Sequence, residues 1–382
     1  FYSEGSTAQT EIKGTGVLGD QNNFHDIESC CIWIDGNSST SIYGNSFNNI
    51  NAGIELFKVG GNIINIHDNN FIDFYQGISG TSVSGASIDI TYNKFNMEVC
   101  NAIPTSSKAL DYRTQKRYAL IAIDIQNTFT QTMNHYNCAN NWIANSTYGI
   151  HTRNVESVNL NDVSILDNQI YFTKTADKMA GINRGIWLEN CLQNTVQNNH
   201  IRAYNSVAPE TDFSLHLVGI DFSRSTDCQI SENYIEKMGR SIYGSFTCSG
   251  SELHCNNFHD FNSGFYCNKI TIGDQGDAGI GEYWKNEWQG AMTGQYRIEG
   301  SPAFPIRWVY IGNGSTYDPN PYQQDIIPDN NGTVPDGCTT PDISTPSILR
   351  EKKYEKTIYG ENHYLEDSLF HQYYEKILFY TG

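Results

Sequence analysis

Short runs in which apolar and polar residues alternate recur along the chain, as in Ile64-Asn65-Ile66 and Ser87-Ile88-Asp89-Ile90. Period-two alternation describes half-buried strands with one set of side chains facing a core. The runs carry a common mark, an asparagine two residues before an aromatic residue or isoleucine. It occurs at Asn22/Phe24, Asn45/Phe47, Asn69/Phe71, Asn93/Phe95, Asn140/Trp142, Asn168/Ile170, Asn199/Ile201, Asn233/Ile235, Asn256/Phe258 and Asn286/Trp288. The shortest gaps between successive anchors are 23 and 24 residues, which sets the length of one repeat. A second mark follows at Gly53-Ile54, Gly77-Ile78, Gly149-Ile150, Gly185-Ile186 and Gly219-Ile220, with Ser241-Ile242 and Gly264-Phe265 as variants. A repeat of this length predicts a solenoid, because one coil cannot bury its apolar face alone and must stack on its neighbours. Asparagine at the same turn of every coil can bond its amide to the backbone above and below, so the ten anchors are expected to form a ladder. Leucine-rich repeats have similar periods but require a Leu-x-x-Leu-x-Leu pattern that this chain lacks.

On its Asn-x-Ile and Gly-Ile repeats, over roughly residues 15–295, the chain resembles the right-handed parallel β-helix of the pectin-lyase-like type. Its coils are similar to those of carbohydrate-binding and sugar-hydrolase domains. The resemblance implies an all-β fold: a right-handed parallel β-helix of about ten coils with an asparagine ladder, then an irregular Pro-rich segment and a short C-terminal helix. It does not imply one activity, since such solenoids carry lyases, hydrolases, epimerases and adhesins alike. The Asn-Thr-Asp, Asp-Asp, Gly-His-Gly and Arg-Ile-Lys motifs of polygalacturonase-like members are absent, as is the Asp-Pro-His of alginate epimerases.

Three units are expected: the solenoid over 1–295, a wrapping or linking segment over 296–345, and a tail over 346–382. Pro302, Pro305, Pro319, Pro321, Pro328, Pro335, Pro341 and Pro346 punctuate the second, where neither helix nor central strand is expected. In the tail, Leu365, Leu369, Tyr373 and Ile377 recur every four residues, the spacing of a helix stripe that would pack on a neighbouring domain or the end of the solenoid. The chain starts at Phe1 without a signal-peptide pattern and stops inside that run, so it reads as part of a longer polypeptide.

Charge narrows the partners. With 24 basic against 42 acidic residues the net charge is −18, which argues against a nucleic-acid partner. No apolar run is long enough to span a membrane. The ten cysteines fit an oxidising, secreted or cell-surface location, and without paired C-x-x-C spacing they predict no metal site. One of the vicinal pair Cys30-Cys31 is expected to be a buried small hydrophobe. No cofactor motif is present. Gly273-Asp274-Gln275-Gly276-Asp277 lacks EF-hand spacing and reads as an acidic turn.

Insertions at 97–118, 171–182 and 203–216 fall between an anchor and its following mark, so they should wall off one strand face. Two outward columns can be counted from the marks. The first is Trp33, Glu55, Ser79, Asp124, His151, Trp187, Asp221, Tyr243, Tyr266; the second is Asp35, Phe57, Thr81, Gln126, Arg153, Glu189, Ser223, Ser245, Asn268. Near the insertions these give a groove of Asp124, His151, Arg153, Trp187, Glu189, Asp221, Arg224 and Tyr243, with Arg113, Lys116 and Arg117 in the first insertion. At about 4.8 Å per coil, Glu189 and Asp221 could serve as the carboxylate pair of a glycoside hydrolase, Trp187 and Tyr243 could stack on sugars, and His151 or an arginine could take part in lyase chemistry. Against this, charged residues on an outward face are commonly just solvated. The favoured expectation is an extracellular structural or adhesive segment of a large, bacterial-type surface protein, with glycans and neighbouring domains or chains as partners, and not an enzyme. The alternative is a polysaccharide lyase or glycoside hydrolase working between Asp124 and Asp221.

Overall fold

The computed structural model describes residues 2–4, 10–13, 22–36, 39–96, 121–144, 146–157, 159, 162–173, 182–204 and 217–337. Arg113, Lys116, Arg117, most of the three insertions and the Leu365 to Ile377 stripe lie outside the described residues. No helix occurs among those described. The chain winds as a parallel β-helix, and each coil has three faces.

The first face is a nine-stranded parallel sheet. It stacks Thr10–Lys13, Thr40–Tyr43, Ile63–His67, Ser87–Thr91, His135–Ala139, Val163–Leu166, Thr195–Gln197, Gln229–Ser231 and Glu252–His254. The second and third faces share long strands such as Ser46–Phe57, Asn70–Thr81, Tyr234–Thr247 and Asn257–Thr271, which turn a corner midway. At that corner sit Asn49, Asp73, Lys237 and Asp260, with φ of 51°, 50°, 58° and 49°. Single left-handed residues break the strand direction without breaking the ladder, and Asn and Asp tolerate that conformation best.

The interior is built from identical positions in successive coils. Ile150, Ile186, Ile220 and Ile242 pair in register on the third face and are fully buried. Phe47, Phe71 and Phe95 follow the anchors on the second face and stack at 4.6 Å between ring centroids. Each such side chain contributes roughly 1.5–3 kcal/mol on burial, and a coil supplies only a few, so stability comes from repetition. The glycine of each Gly-Ile mark has a steric reason. A Cβ on Gly185 would lie 2.6 Å from the Gly219 carbonyl oxygen and 2.8 Å from Ile201. Cys31 is buried in this core and Cys30 half-buried, as the vicinal pair implied.

The asparagine ladder is present, with one register correction. Side-chain amides donate along the series Asn45, Asn69, Asn93, Asn141, Asn168, Asn199, Asn233, Asn256 and Asn286, each to the next Oδ1 at 3.0–3.1 Å. Asn22 begins the series, donating to Asn45 at 2.9 Å. The rung expected at Asn140 is Asn141. Asn140 has φ of 57° and holds the left-handed corner, the place taken by Asp68, Tyr92, Asp167, Asn198 and Glu232 in other coils. A residue in that conformation turns the chain and leaves its successor facing inward.

Among the described residues, the Pro-rich segment holds edge strands and no central one carrying a proline. Parallel pairing continues past residue 295: Ile298–Ser301 pairs with Phe265–Asn268 and Ile306–Val309 with Ile326–Asp329. Pro328 and Pro335 lie in strands that are the last of their two-stranded sheets. An edge strand tolerates the missing N–H that a central strand would need.

Candidate functional site

Both outward columns hold in register. Asp124 pairs with Ser79 and His151, His151 with Trp187, Trp187 with Asp221, and Asp221 with Tyr243. Gln126 pairs with Arg153, Arg153 with Glu189 and Glu189 with Ser223. Reading the marks missed a third column immediately before each Gly-Ile mark and its Ser241-Ile242 variant, containing Gln76, Tyr148, Arg184, the buried Val218 and Arg240. Its signal was available: the mark consumes two inward positions, Gly and Ile, so the residue before the glycine faces out.

These residues form a network that crosses the coils. His151 Nδ1 lies 2.9 Å from Asp124 Oδ1, and Nε2 lies 3.6 Å from Glu189 Oε2, an ion-pair rather than a hydrogen-bond separation. Gln76 and Gln126 both donate to Asp124 Oδ2, at 3.2 and 2.9 Å. His151 and Asp124 are only 6% and 3% exposed, so the outward face is covered here. Burial disfavours a charged imidazole, but the carboxylates of Asp124 and Glu189 on its two sides outweigh it, and the His151 pKa is raised. Glu189 is lowered by His151 against its own burial, with help from Arg153 and Arg224. Arg153 Nε lies 3.5 Å from Glu189 and its side chain is half-exposed.

One coil further on, Asp221 is 1% exposed and accepts from Arg184 Nε at 2.5 Å and from Ser223 Oγ at 2.7 Å. Ser245 Oγ donates to Ser223 Oγ at 2.8 Å. Burial pushes the Asp221 pKa up, and Arg184 and Ser223 pull against it. Trp187 contacts both networks. The His151 ring stacks on it at 4.1 Å and 18°, and the Arg184 guanidinium sits 4.3 Å from its centroid. The Arg184 contact is a cation–π pair.

Trp187 stacks on His151 and Arg184 within the protein. Glu189 and Asp221 sit on neighbouring coils but in different columns, and each is bound to its own cation, so they do not form an unpaired carboxylate couple facing one bond. Tyr243 stacks on Tyr266 at 5.6 Å, with Arg240 3.9 Å from the Tyr266 centroid, and accepts from Asn268 Nδ2 at 2.6 Å. Arg224 is outside the columns: it holds a left-handed corner with φ of 54° and lies over the half-exposed Phe246 ring at 4.6 Å.

Two further groups bear on ligand chemistry. Among the described residues, donor atoms of Glu236, His259 and Asp260 come within 4.8 Å of one another on the second face. Glu236 is already neutralised by Arg202 at 3.0 Å and Lys237 at 3.2 Å, and Asp260 Oδ1 accepts the Ala291 N–H at 2.7 Å. Two cations beside the only buried carboxylate oppose a metal ion. The acidic turn uses its oxygens on backbone: Asp274 accepts from the Arg307 N–H and Asp277 from the Gly279 N–H. No family model matches the chain, and neither a curated protein nor a solved structure matches it.

Proposed function

We propose that this chain is an extracellular structural or adhesive β-helix segment of a larger surface protein, one that contacts glycans without transforming them. The resemblance to pectin-lyase-like coils motivates the glycan class. The observation that carries the non-catalytic reading is the pairing of the three carboxylates expected to line the groove. Asp124 is held by His151 and two glutamines, Glu189 by Arg153 and His151, and Asp221 by Arg184 and Ser223. A general base needs an available lone pair near the proton it takes, whereas the carboxylates on either side of His151 raise its pKa and so favour its protonated form. These groups tie coil to coil. Contact with a ligand falls to the half-exposed edge made by Arg153, Arg224 and Phe246.

The test is a screen of the protein against neutral and acidic polysaccharides, with reducing ends, unsaturated uronates and binding read in parallel. Binding without product, weakened by Arg153→Ala or Arg224→Ala, is the expected result. Turnover abolished by Glu189→Gln would overturn the reading in favour of a lyase or hydrolase.

A further inference from the structure

The coils turn at three corners, and residues with positive φ stand at each. Left-handed backbone suits asparagine, aspartate and glycine best, so in a chain of net charge −18 carboxylates are expected there beside asparagine. Two corners follow that rule. Asp68, Asp167 and Glu232 stand between the first and second faces, and Asp26, Asp73 and Asp260 between the second and third. The corner that leads from the third face back to the first does not. Its left-handed positions include Lys58, Arg224, Phe246 and Lys269, with φ of 53°, 54°, 62° and 53°, and among the described residues none of them is a carboxylate. Long side chains hold this corner against the backbone preference, and all four are exposed.

Their order along the rod is regular. The second outward column runs in register through Arg153, Glu189, Ser223, Ser245 and Asn268, and Arg224, Phe246 and Lys269 directly follow its last three members. Arg153, Arg224 and Lys269 therefore lie on alternate coils, about 9.6 Å apart from one to the next. The ionised Glu189 occupies the coil between the first two. Phe246 occupies the coil between the second two; Arg224 lies 4.6 Å from its ring centroid, and the residue stays 46% exposed. One coil before Arg153, Asn127 to Thr130 stand opposite Asn154 alone and push out Phe129, which is 72% exposed. Asn154 Nδ2 donates to the Asn127 carbonyl at 2.6 Å and Asn190 Nδ2 to Thr130 Oγ1 at 2.9 Å, which fastens this bulge to the next two coils.

Resting on the glycan-contacting reading above, we propose that this corner binds a linear glycan lying along the rod axis and carrying a uronate on alternate sugars, its carboxylates meeting Arg153, Arg224 and Lys269. The rise per sugar of an extended chain is close to the coil height, so alternate charges meet alternate coils. Neutral sugars then fall opposite Glu189 and Phe246, and the apolar faces of sugar rings pack on Phe246 and Phe129. A polymer charged on every sugar sets one anion against the Glu189 carboxylate and another against the Phe246 ring, while a neutral polymer gains nothing from the three cations.

Isothermal titration calorimetry on the whole chain compares oligosaccharides of equal length: hyaluronan, charged on alternate sugars; oligogalacturonate, charged on every one; and a neutral cello-oligosaccharide. Hyaluronan should bind on the order of tenfold more tightly than either, and raised salt should weaken it. Arg224→Asn and Lys269→Asn should each weaken hyaluronan binding roughly two- to fivefold. Asparagine suits a positive φ, so both variants should keep the wild-type melting temperature. Oligogalacturonate binding as tightly as hyaluronan, or affinity indifferent to both variants, would overturn the charge pattern while glycan contact itself stands. No binding to any of the three removes both the pattern and the glycan reading, and tighter binding of a single-stranded oligonucleotide than of hyaluronan would overturn the ligand class. Product release from a bound chain would instead count against the non-catalytic reading and leave the order of affinities as the test of this corner.

Discussion

Replacing Asn141 by alanine tests the register of the ladder at the position where reading the repeat misplaced it. The Asn141 Oδ1 accepts the Asn93 backbone N–H at 2.9 Å, and its Nδ2 donates to the Ile90 carbonyl at 2.8 Å and to Asn168 Oδ1 at 3.0 Å. Asn93 Nδ2 keeps other acceptors in Ile66 and Thr91, and Asn168 Oδ1 keeps the Asn141 N–H. Two buried backbone groups, the Asn93 N–H and the Ile90 carbonyl, therefore lose their side-chain partner. At roughly 1–3 kcal/mol for each, Asn141→Ala should cost about 2–6 kcal/mol. Asn140→Ala keeps the backbone bond from Asn140 N–H to Leu166 and loses only the ease with which asparagine adopts a φ of 57°. That is worth about 1 kcal/mol. Urea unfolding followed by tryptophan fluorescence and circular dichroism compares the two, coincident transitions allowing the midpoints to be subtracted. A loss from Asn140→Ala equal to or larger than that from Asn141→Ala would refute the register, and with it the assignment of the corner.

His254, raised from 6.5 to about 9 because Asp336 and Glu252 outweigh the burial that opposes its charge, should lend stability fully present below pH 6.5 and lost as pH rises through 9. The gap corresponds to about 3 kcal/mol, so the urea midpoint of wild type should exceed that of His254→Gln at pH 6 and converge with it near pH 10; a constant difference would sink this account. Gly185→Ala forces a Cβ against the Gly219 carbonyl and should cost about 1–3 kcal/mol by thermal unfolding, whereas Gly273→Ala, with open space around it, should be close to neutral. Arg184→Ala strands the buried Asp221 charge and should cost about 3–5 kcal/mol at neutral pH. Acidification should shrink that deficit by protonating Asp221, and Arg184→Ala with Asp221→Asn should recover part of it; a deficit indifferent to both would contradict the pairing.

The two outward columns were legible because a period-two strand and a fixed repeat leave no freedom: once Ile150 and Ile186 face the core, His151 and Trp187 must lie beside each other outside it. Asn141 was legible too, since Asn141-Trp142-Ile143 is itself Asn-x-Ile, but the adjacent Asn140-x-Trp142 fits the aromatic form of the mark equally well. Only the backbone conformation separates them. The third column was legible from the same marks, since a Gly-Ile pair that takes two successive inward positions leaves the residue before it on the outer side.

The amino-acid sequence by itself determined the parallel stack, the coil length, the ladder and which side chains share an outer column, because all of these follow from periodicity and from the need of each coil to bury one face. The tertiary structure alone decided which partners those columns meet within the protein. That Trp187 contacts His151 and Arg184, that Asp221 is bound to Arg184, and that Pro328 and Pro335 fall in edge strands depend on side-chain directions and edges created by stacking. Those are relations between coils tens of residues apart, and a repeat specifies that coils meet without specifying which partner each outward charge will choose.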